Sequence, residues 1–177
     1  MATIGTGRAN GSCSLLHAAG IGYGASLALD LKVIVRLLDS PGRKEIDDPD
    51  ELFPAIIEAW TNSGHKLPAG EIHWSVNSKI PPRQGLKSSS AICVAAIKAL
   101  CEATDTELED HQIVDIATIA QLSSGVSLTG SIDDSWAAIS GGWKLIDINA
   151  ESASSGIIME ASGPVSEDWR VFIVLRG

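Results

Sequence analysis

The sequence predicts an α+β fold, on three observations. Leu27, Leu29, Leu31, Val33, Val35 and Leu37 occupy every second position of one run. Leu52, Phe53, Ile56, Ile57 and Trp60 recur instead at helical spacing, and Ala91–Ala103 is almost wholly small and apolar. Strand signals come first and helix signals follow, which favours α+β over a regular βαβ alternation.

In chain order, the period of two from Ser26 to Leu37 predicts a strand with one apolar face buried. Its other face, Ser26, Ala28, Asp30, Lys32 and Arg36, reads as largely wet, with Ile34 the one large apolar intruder. Asp48 as N-cap, Pro49 at the first helical position and Glu51 three residues after Asp48 spell a capping box for the helix that follows. Pro54 lacks a backbone donor, which argues for a start one turn later. Asn62-Ser63-Gly64 closes that helix. Ile72, Trp74 and Val76 alternate with His73, Ser75 and Asn77 as a second strand. Residues 91–103 are too rich in alanine for a strand and read as a buried helix that approaches a sheet closely, with Lys98 as its polar exit. Thr106 and Glu109 frame a capping box for a helix through Ile113, Ile116, Ile119 and Leu122, ended at Ser123-Ser124-Gly125. A loop over 128–135 leads to Trp136–Ile139 and Gly141-Gly142. Short strands are predicted near 143–148, 155–161 and 169–175.

The 177 residues carry 22 acidic against 13 basic side chains, a formal charge of −9. That balance argues against a nucleic-acid binder relying on a broad basic surface. It leaves room for a small anion held by a local cluster of donors. No apolar run approaches the ~18 residues of a membrane span, and the N-terminus has no hydrophobic signal core. Cys13, Cys93 and Cys101 are odd in number and lack CxxC spacing, which predicts reduced thiols in a cytoplasmic protein. His65, His73 and His111 are scattered and suggest no metal site.

The most informative stretch is Pro82-Arg83-Gln84-Gly85-Leu86-Lys87-Ser88-Ser89-Ser90-Ala91. A strand feeds a Pro- and Gly-bearing loop, and three serines stand where a helix begins. The first N–H groups of a helix lack intrahelical acceptors and its N-terminal end is partly positive, so such an end suits phosphate. Gly85 lets backbone approach an anion closely. The serine hydroxyls can bind phosphate oxygens or a hard cation such as Mg²⁺. Lys79, Arg83 and Lys87 add positive charge with no acid among them. The plainer reading is a serine-capped helix with exposed basic residues; the combination favours phosphate binding. The spacing is not that of a Walker A loop. Gly20–Ala25 grazes a dinucleotide fingerprint, but it opens a strand pattern where that fingerprint must open a helix.

The string resembles the phosphate-binding motif of the GHMP small-molecule kinases, approximately PxxxGLxSSxA. Gly85-Leu86-Lys87-Ser88-Ser89-Ser90-Ala91 looks most like the version in the archaeal-type shikimate kinases. Two further stretches are similar to that group. Gly7–Ser12 through Gly20–Ala25 matches its N-terminal strand, substrate loop and glycine-bearing turn, and Thr129-Gly130-Ser131-Ile132-Asp133-Asp134 with Gly141-Gly142 matches its TGxxDD…GG segment. The resemblance implies the GHMP-kinase N-terminal domain fold over residues 1–165. Residues 166–177 would then be the first strand of a truncated ferredoxin-like C-terminal domain. It also implies ATP and Mg²⁺ as cofactors and a small alcohol, shikimate first and homoserine or mevalonate as alternatives, as acceptor; the alternative from another class is a non-catalytic fragment of the fold.

On that resemblance residues 82–91 bind ATP and Ser89 meets Mg²⁺. Ser12, Thr129, Gly130 and Asp133 stand on the substrate side. An Asp in a loop before a helix is usually an N-cap, and Asp133 can be only that. Phosphorylating an alcohol calls for a group that positions the hydroxyl and takes its proton, and the spacing to Gly141 favours Asp134 over Asp133. Lys87 is placed either to hold that carboxylate charged or to grip phosphate oxygens. Some relatives hold Mg²⁺ with a glutamate on the preceding helix. Here Asp115 is the last carboxylate before Asp133, with Gln121, Ser123 and Ser124 between, so the second protein ligand stays unassigned. His17 sits where substrate would approach, and Tyr23 and Trp136 serve as readily in the core as against a ligand.

Overall fold

Two long strands lie side by side at the N-terminus, β1 (Thr3–Leu16) and β2 (Tyr23–Leu38), joined through a single helical turn, α1 (Ala18–Ile21). The computed structural model describes residues 2–42, 46–81, 84–163 and 170–174. The remaining elements are α2 (Leu52–Asn62), β3 (His73–Ser78), α3 (Ser88–Thr104), α4 (Asp110–Ser123), α5 (Ile132–Ser140), β4 (Trp143–Asp147) and β5 (Ile157–Ala161).

Strand β2 is the hub of an antiparallel sheet. It pairs with β1 along one edge; on the other, its second half pairs with β3 and its first five residues with β4, which continues to β5. The alternation read from Leu27 to Leu37 is real: Leu29, Val33, Val35 and Leu37 are buried against the helices. The opposite stripe is not uniformly wet. Ser26 at its start is fully buried, because the first turn of α5 packs across this end of β2.

Strand β1 shows no run of alternating large side chains, and the reason lies in its contact with α3. A Cβ on Gly7 would stand 1.8 Å from the Ala95 carbonyl oxygen, and one on Gly5 2.1 Å from that of Ala99. Bare backbone therefore meets the small-residue face of α3, whose Ala91, Ala95, Ala96 and Ala99 are fully buried. Close packing of this kind is how a helix with few large side chains earns a place in the core.

Helix boundaries differ from expectation in instructive ways. α2 does start one turn late, with Glu51 as its N-cap residue in a left-handed conformation. The Asp48 carboxylate still caps it from outside, accepting the N–H groups of Leu52 and Phe53 at 2.9 Å each. Pro54 falls in the first turn, where a missing donor breaks no intrahelical bond. The box opening α4 is Glu109 with Gln112, not Thr106 with Glu109. Thr106 is taken up by the end of α3, its N–H bonding the Cys101 carbonyl at 2.9 Å. Residues 170–174 carry no strand, and positions 169 and 175 of that predicted strand lie outside the described residues.

Candidate active site

Helices α3 and α5 begin beside one another, and both begin in the same unusual way. The residue before each, Lys87 and Ser131, has positive φ (58° and 50°). Non-glycine residues are uncommon there, and such strain gathers at functional sites. The first turns of both helices line a shared cavity of about 280 Å³. Ser89 and Ser90 come from α3, Asp133 and Asp134 from α5, Ser127 and Thr129 from the α4–α5 loop, and Ser14 and His17 from the end of β1.

The acidic pair is inside a helix rather than in the loop expected for it. Asp133 and Asp134 occupy the second and third positions of α5, where the helix dipole favours negative charge. Both are buried, at 5% and 2% exposure. Lys87 Nζ stands 3.0 Å from Asp134 Oδ2. Ser26 Oγ lies 2.9 Å from Asp133 Oδ2 and 2.5 Å from Asp134 Oδ1. Burial, and then the neighbouring Asp134, push the Asp133 carboxyl above the ordinary aspartate value. A Cβ on Gly24 would come within 2.8 Å of Asp133 Cγ, so glycine there makes room for the carboxyl.

Of the residues expected in the site, Lys87, Ser89, Ser90, Thr129, Asp133 and Asp134 line this one cavity. Gln84 and Gly85 are exposed on the approach to α3, and Ser88 is half-buried at its first turn. Leu86 and Ala91 turn their side chains into the core, leaving only backbone for a ligand. Pro82 and Arg83 lie outside the described residues. Ser12 does not reach the cavity. It is fully buried, its hydroxyl has no protein partner, and its N–H bonds the Leu86 carbonyl, bracing the loop from behind. Gly130 holds a turn: its φ is +75°, a Cβ would lie 2.4 Å from Thr118 Cγ2, and its carbonyl accepts from Gln121.

Two residues that sequence reasoning did not assign organise the site. One is Ser26. The other is Gln121, fully buried on α4. Its Oε1 accepts from Ser90 Oγ at 2.6 Å, while its two Nε2 hydrogens are shared among three acceptors, Ala117 O, Gly130 O and Ser135 Oγ, at 3.1, 3.2 and 3.0 Å. One side chain thus ties α3, α4, α5 and the intervening loop together. A polar residue four positions after buried Ala117 was the available signal.

Asp115 is structural, since its Oδ1 accepts the Ala153 N–H at 2.7 Å. Trp136 is also core, its Nε1 donating to the Ala153 carbonyl. His17 lines the cavity and caps α1 through Nδ1. Among the described residues no group of three His, Cys, Asp or Glu side chains could hold a metal ion. The donor set fits a Mg²⁺ shared with phosphates: Ser89 offers a hydroxyl to the cavity, whereas that of Ser90 is committed to Gln121.

Residues 54–142 match the family described as the GHMP kinases N-terminal domain. The chain belongs to the GHMP kinase family. Among curated relatives, it is 30% identical over 151 residues to the shikimate kinase of Pyrococcus abyssi, covering 81% of this chain and 55% of that protein. It is 33% identical over 156 residues to the shikimate kinase of Methanocella arvoryzae, covering 83% and 51%. In structure it is similar to the mevalonate kinase of Methanococcus jannaschii, with a TM-score of 0.69 at 18% identity over 82% of this chain and 54% of that one. This GHMP kinase chain therefore has the fold its motifs implied, and it spans about half the length of the curated relatives it matches.

Proposed function

We propose that this chain binds ATP and transfers its terminal phosphoryl group to a small-molecule alcohol, shikimate yielding shikimate 3-phosphate. The observation that carries the reading is the Lys87–Asp134 ion pair at 3.0 Å, set where two helix N-termini open into one cavity. Two curated relatives named shikimate kinase support the choice of acceptor.

On this reading the free N–H groups at the start of α3, with Lys87 and residues 82–86 before it, cradle the triphosphate. Ser89 and the phosphate oxygens would hold Mg²⁺, which when bound offsets charge on those oxygens. Asp134 receives the proton of the acceptor hydroxyl. That oxygen bonds the terminal phosphorus, the bond from this phosphorus to the bridging oxygen breaks, and ADP departs with the electron pair. Lys87 balances charge on both sides of the step, so catalysis is positioning and charge stabilisation with no covalent enzyme intermediate. Thr129 and Asp133 stand on the acceptor side, with Gly130 fixing the turn between them, while Ser12 braces the Leu86 backbone before α3. On this reading residues 1–165 are the nucleotide-binding domain. Free Cys13, Cys93 and Cys101 suit a reducing cytoplasm.

A coupled ADP-release assay with shikimate, homoserine and mevalonate tests the reaction. Turnover with shikimate above the other two is expected; no turnover with any alcohol overturns it. A nonhydrolysable ATP analogue soaked into crystals tests the cradle, and a triphosphate found away from Ser88–Ser90 overturns that part.

A further inference from the structure

The number of protons available at the acidic pair carries an inference beyond the kinase reading. Asp133 and Asp134 are both more than nine-tenths buried, and one hydroxyl, Ser26 Oγ, lies within hydrogen-bond distance of both. A hydroxyl owns one proton and donates one hydrogen bond. With both carboxyls ionised, the second contact would press an oxygen lone pair against a carboxylate lone pair. Two buried negative charges would also face one cation, Lys87, a costly arrangement in a low-dielectric site. A single additional proton on Asp133 removes both faults.

We propose that Asp133 is a neutral carboxylic acid that donates to Ser26 Oγ, so that Ser26 donates to Asp134 and the two serve as positioning residues for the Asp134 carboxylate. The direction of the chain follows from Lys87. Its ammonium lies against Asp134 Oδ2 and favours negative charge there, so the proton belongs on the other acid. Among the described residues, Lys87 is the cation whose charge reaches Asp133, and it acts there against burial and Asp134, which weigh more. From β1, Cys13 feels the Asp134 charge, and its thiol is pushed up first by burial and then by that carboxylate. From the same strand's end His17 lines the cavity, with its Nδ1 accepting from Ala19. The Gly24 backbone lies close against the Asp133 carboxyl on one side: a Cβ at Gly24 would stand 2.8 Å from Asp133 Cγ and 3.0 Å from Ala18 Cβ. Burial and the adjoining Asp134 act in the same sense.

The positioning role rests on Asp134 being the group that receives the hydroxyl proton; the location of the proton does not, and the two are tested apart. Carboxyl ¹³C NMR and infrared titration of the ¹³C-Asp-labelled chain reads the proton directly, with Asp133→Asn for assignment. A protonated aspartate signal persisting above the ordinary aspartate value near 4, and lost in Asp133→Asn, is expected. If Asp133→Asn does not fold, Asp133→Glu, whose carboxyl carries no ¹³C-Asp label, supplies the assignment. Absence of that signal overturns the proposal.

Turnover reads the positioning. Ser26→Ala is expected to lower kcat roughly tenfold or more, the worth of one hydrogen bond to a charged group, with the KM for ATP little changed. Ser26→Thr, which keeps the hydroxyl, is expected to recover most of that loss. Asp133→Asn keeps a neutral donor and should retain more turnover than Asp133→Leu. Equal losses in Ser26→Ala and Ser26→Thr, or in the two Asp133 variants, overturn the positioning role. A chain that titrates as expected yet turns over no alcohol sinks the kinase reading and leaves the proton where the geometry puts it.

Discussion

Lys87 Nζ stands 3.0 Å from Asp134 Oδ2, so the residue that opens α3 is tied to the first turn of α5 across the mouth of one cavity. The pair joins the segment read as the phosphate cradle to the carboxylate read as the proton acceptor. Its two members must then fail differently when removed.

Asp134→Asn keeps the shape of the side chain and its contact with Ser26, but removes the acceptor for the hydroxyl proton. Phosphoryl transfer should fall by roughly 10²–10⁴-fold, the usual worth of a general base. Nucleotide affinity, measured by calorimetry with an ATP analogue, should stay close to wild type. An equal collapse of binding and transfer would make Asp134 structural.

Lys87→Met removes the cation and leaves a carboxylate that is 3% exposed without its partner. Breaking a buried pair from one side costs about 3–5 kcal/mol. Because the Lys87 side chain is itself 22% exposed, the lower end of that range applies. The double variant Lys87→Met with Asp134→Asn should be more stable than Lys87→Met alone, since the stranded charge is gone. Chemical denaturation of the four proteins in the cycle measures the coupling. Additive losses would mean the two side chains do not interact in solution.

Much of this architecture was legible because burial writes itself into hydropathy. The Leu27–Leu37 alternation found β2, the Ile72–Val76 alternation found β3, and helical spacing found α2 and α4. β1 escaped the hydropathy reading, and a strand there was implied only by the resemblance of Gly7–Ser12, because it buries backbone: Gly5 and Gly7 touch α3 where a side chain would clash, so no apolar period arises. At the site, residue types pointed to Lys87, Ser89 and Asp134 one by one, but their convergence depends on α3 and α5 starting side by side. Ser26 was misread for the same reason. Its place on the polar stripe of β2 says nothing of the helix that later covers it, whereas Asp30, further along the stripe, is exposed as expected.

Gln121 offers a test of how far that convergence depends on one side chain. Gln121→Leu fills a similar volume but strips partners from Ser90 and Ser135 hydroxyls and the Gly130 carbonyl. Unmet buried polar groups cost about 1–3 kcal/mol each where water cannot reach them. A loss of roughly 2–4 kcal/mol in denaturant unfolding is expected, together with weaker nucleotide binding as Ser90 and the α5 turn drift apart. A variant as stable as wild type would show that other contacts hold these helices.

Asp105 marks a place where stability was left available. It is exposed, holds φ of 52° after the last turn of α3, and is followed by the Thr106 N–H to Cys101 carbonyl bond of a Schellman turn. Glycine is favoured at that position because an L side chain costs roughly 1–2 kcal/mol in the left-handed region, less for Asp than for most. Asp105→Gly should therefore raise the unfolding free energy by up to about 1 kcal/mol without altering nucleotide binding. A lower Tm would mean that the Asp105 side chain has a stabilising role outweighing its backbone strain.

The pH dependence of stability follows from Asp133. Its carboxyl is raised in the folded chain by burial and by Asp134, whereas in the unfolded chain it titrates near the ordinary value of about 4. Between those two values the folded chain holds a proton that the unfolded chain has shed. The unfolding free energy therefore carries a contribution that is complete below the ordinary value and declines as pH rises through the raised one. Asp39 acts in the opposite sense: the Ala2 N–H and then the Ser40 hydroxyl lower its value, so its contribution is present above the ordinary aspartate range and fades as pH falls. Because both run together in the wild-type curve, the informative quantity is the difference from Asp133→Asn, a side chain that cannot ionise. Denaturant unfolding of both proteins from about pH 4 to 8 should show wild type losing stability relative to the variant as pH rises. A flat difference across that range would mean that Asp133 ionises alike in the folded and unfolded chains.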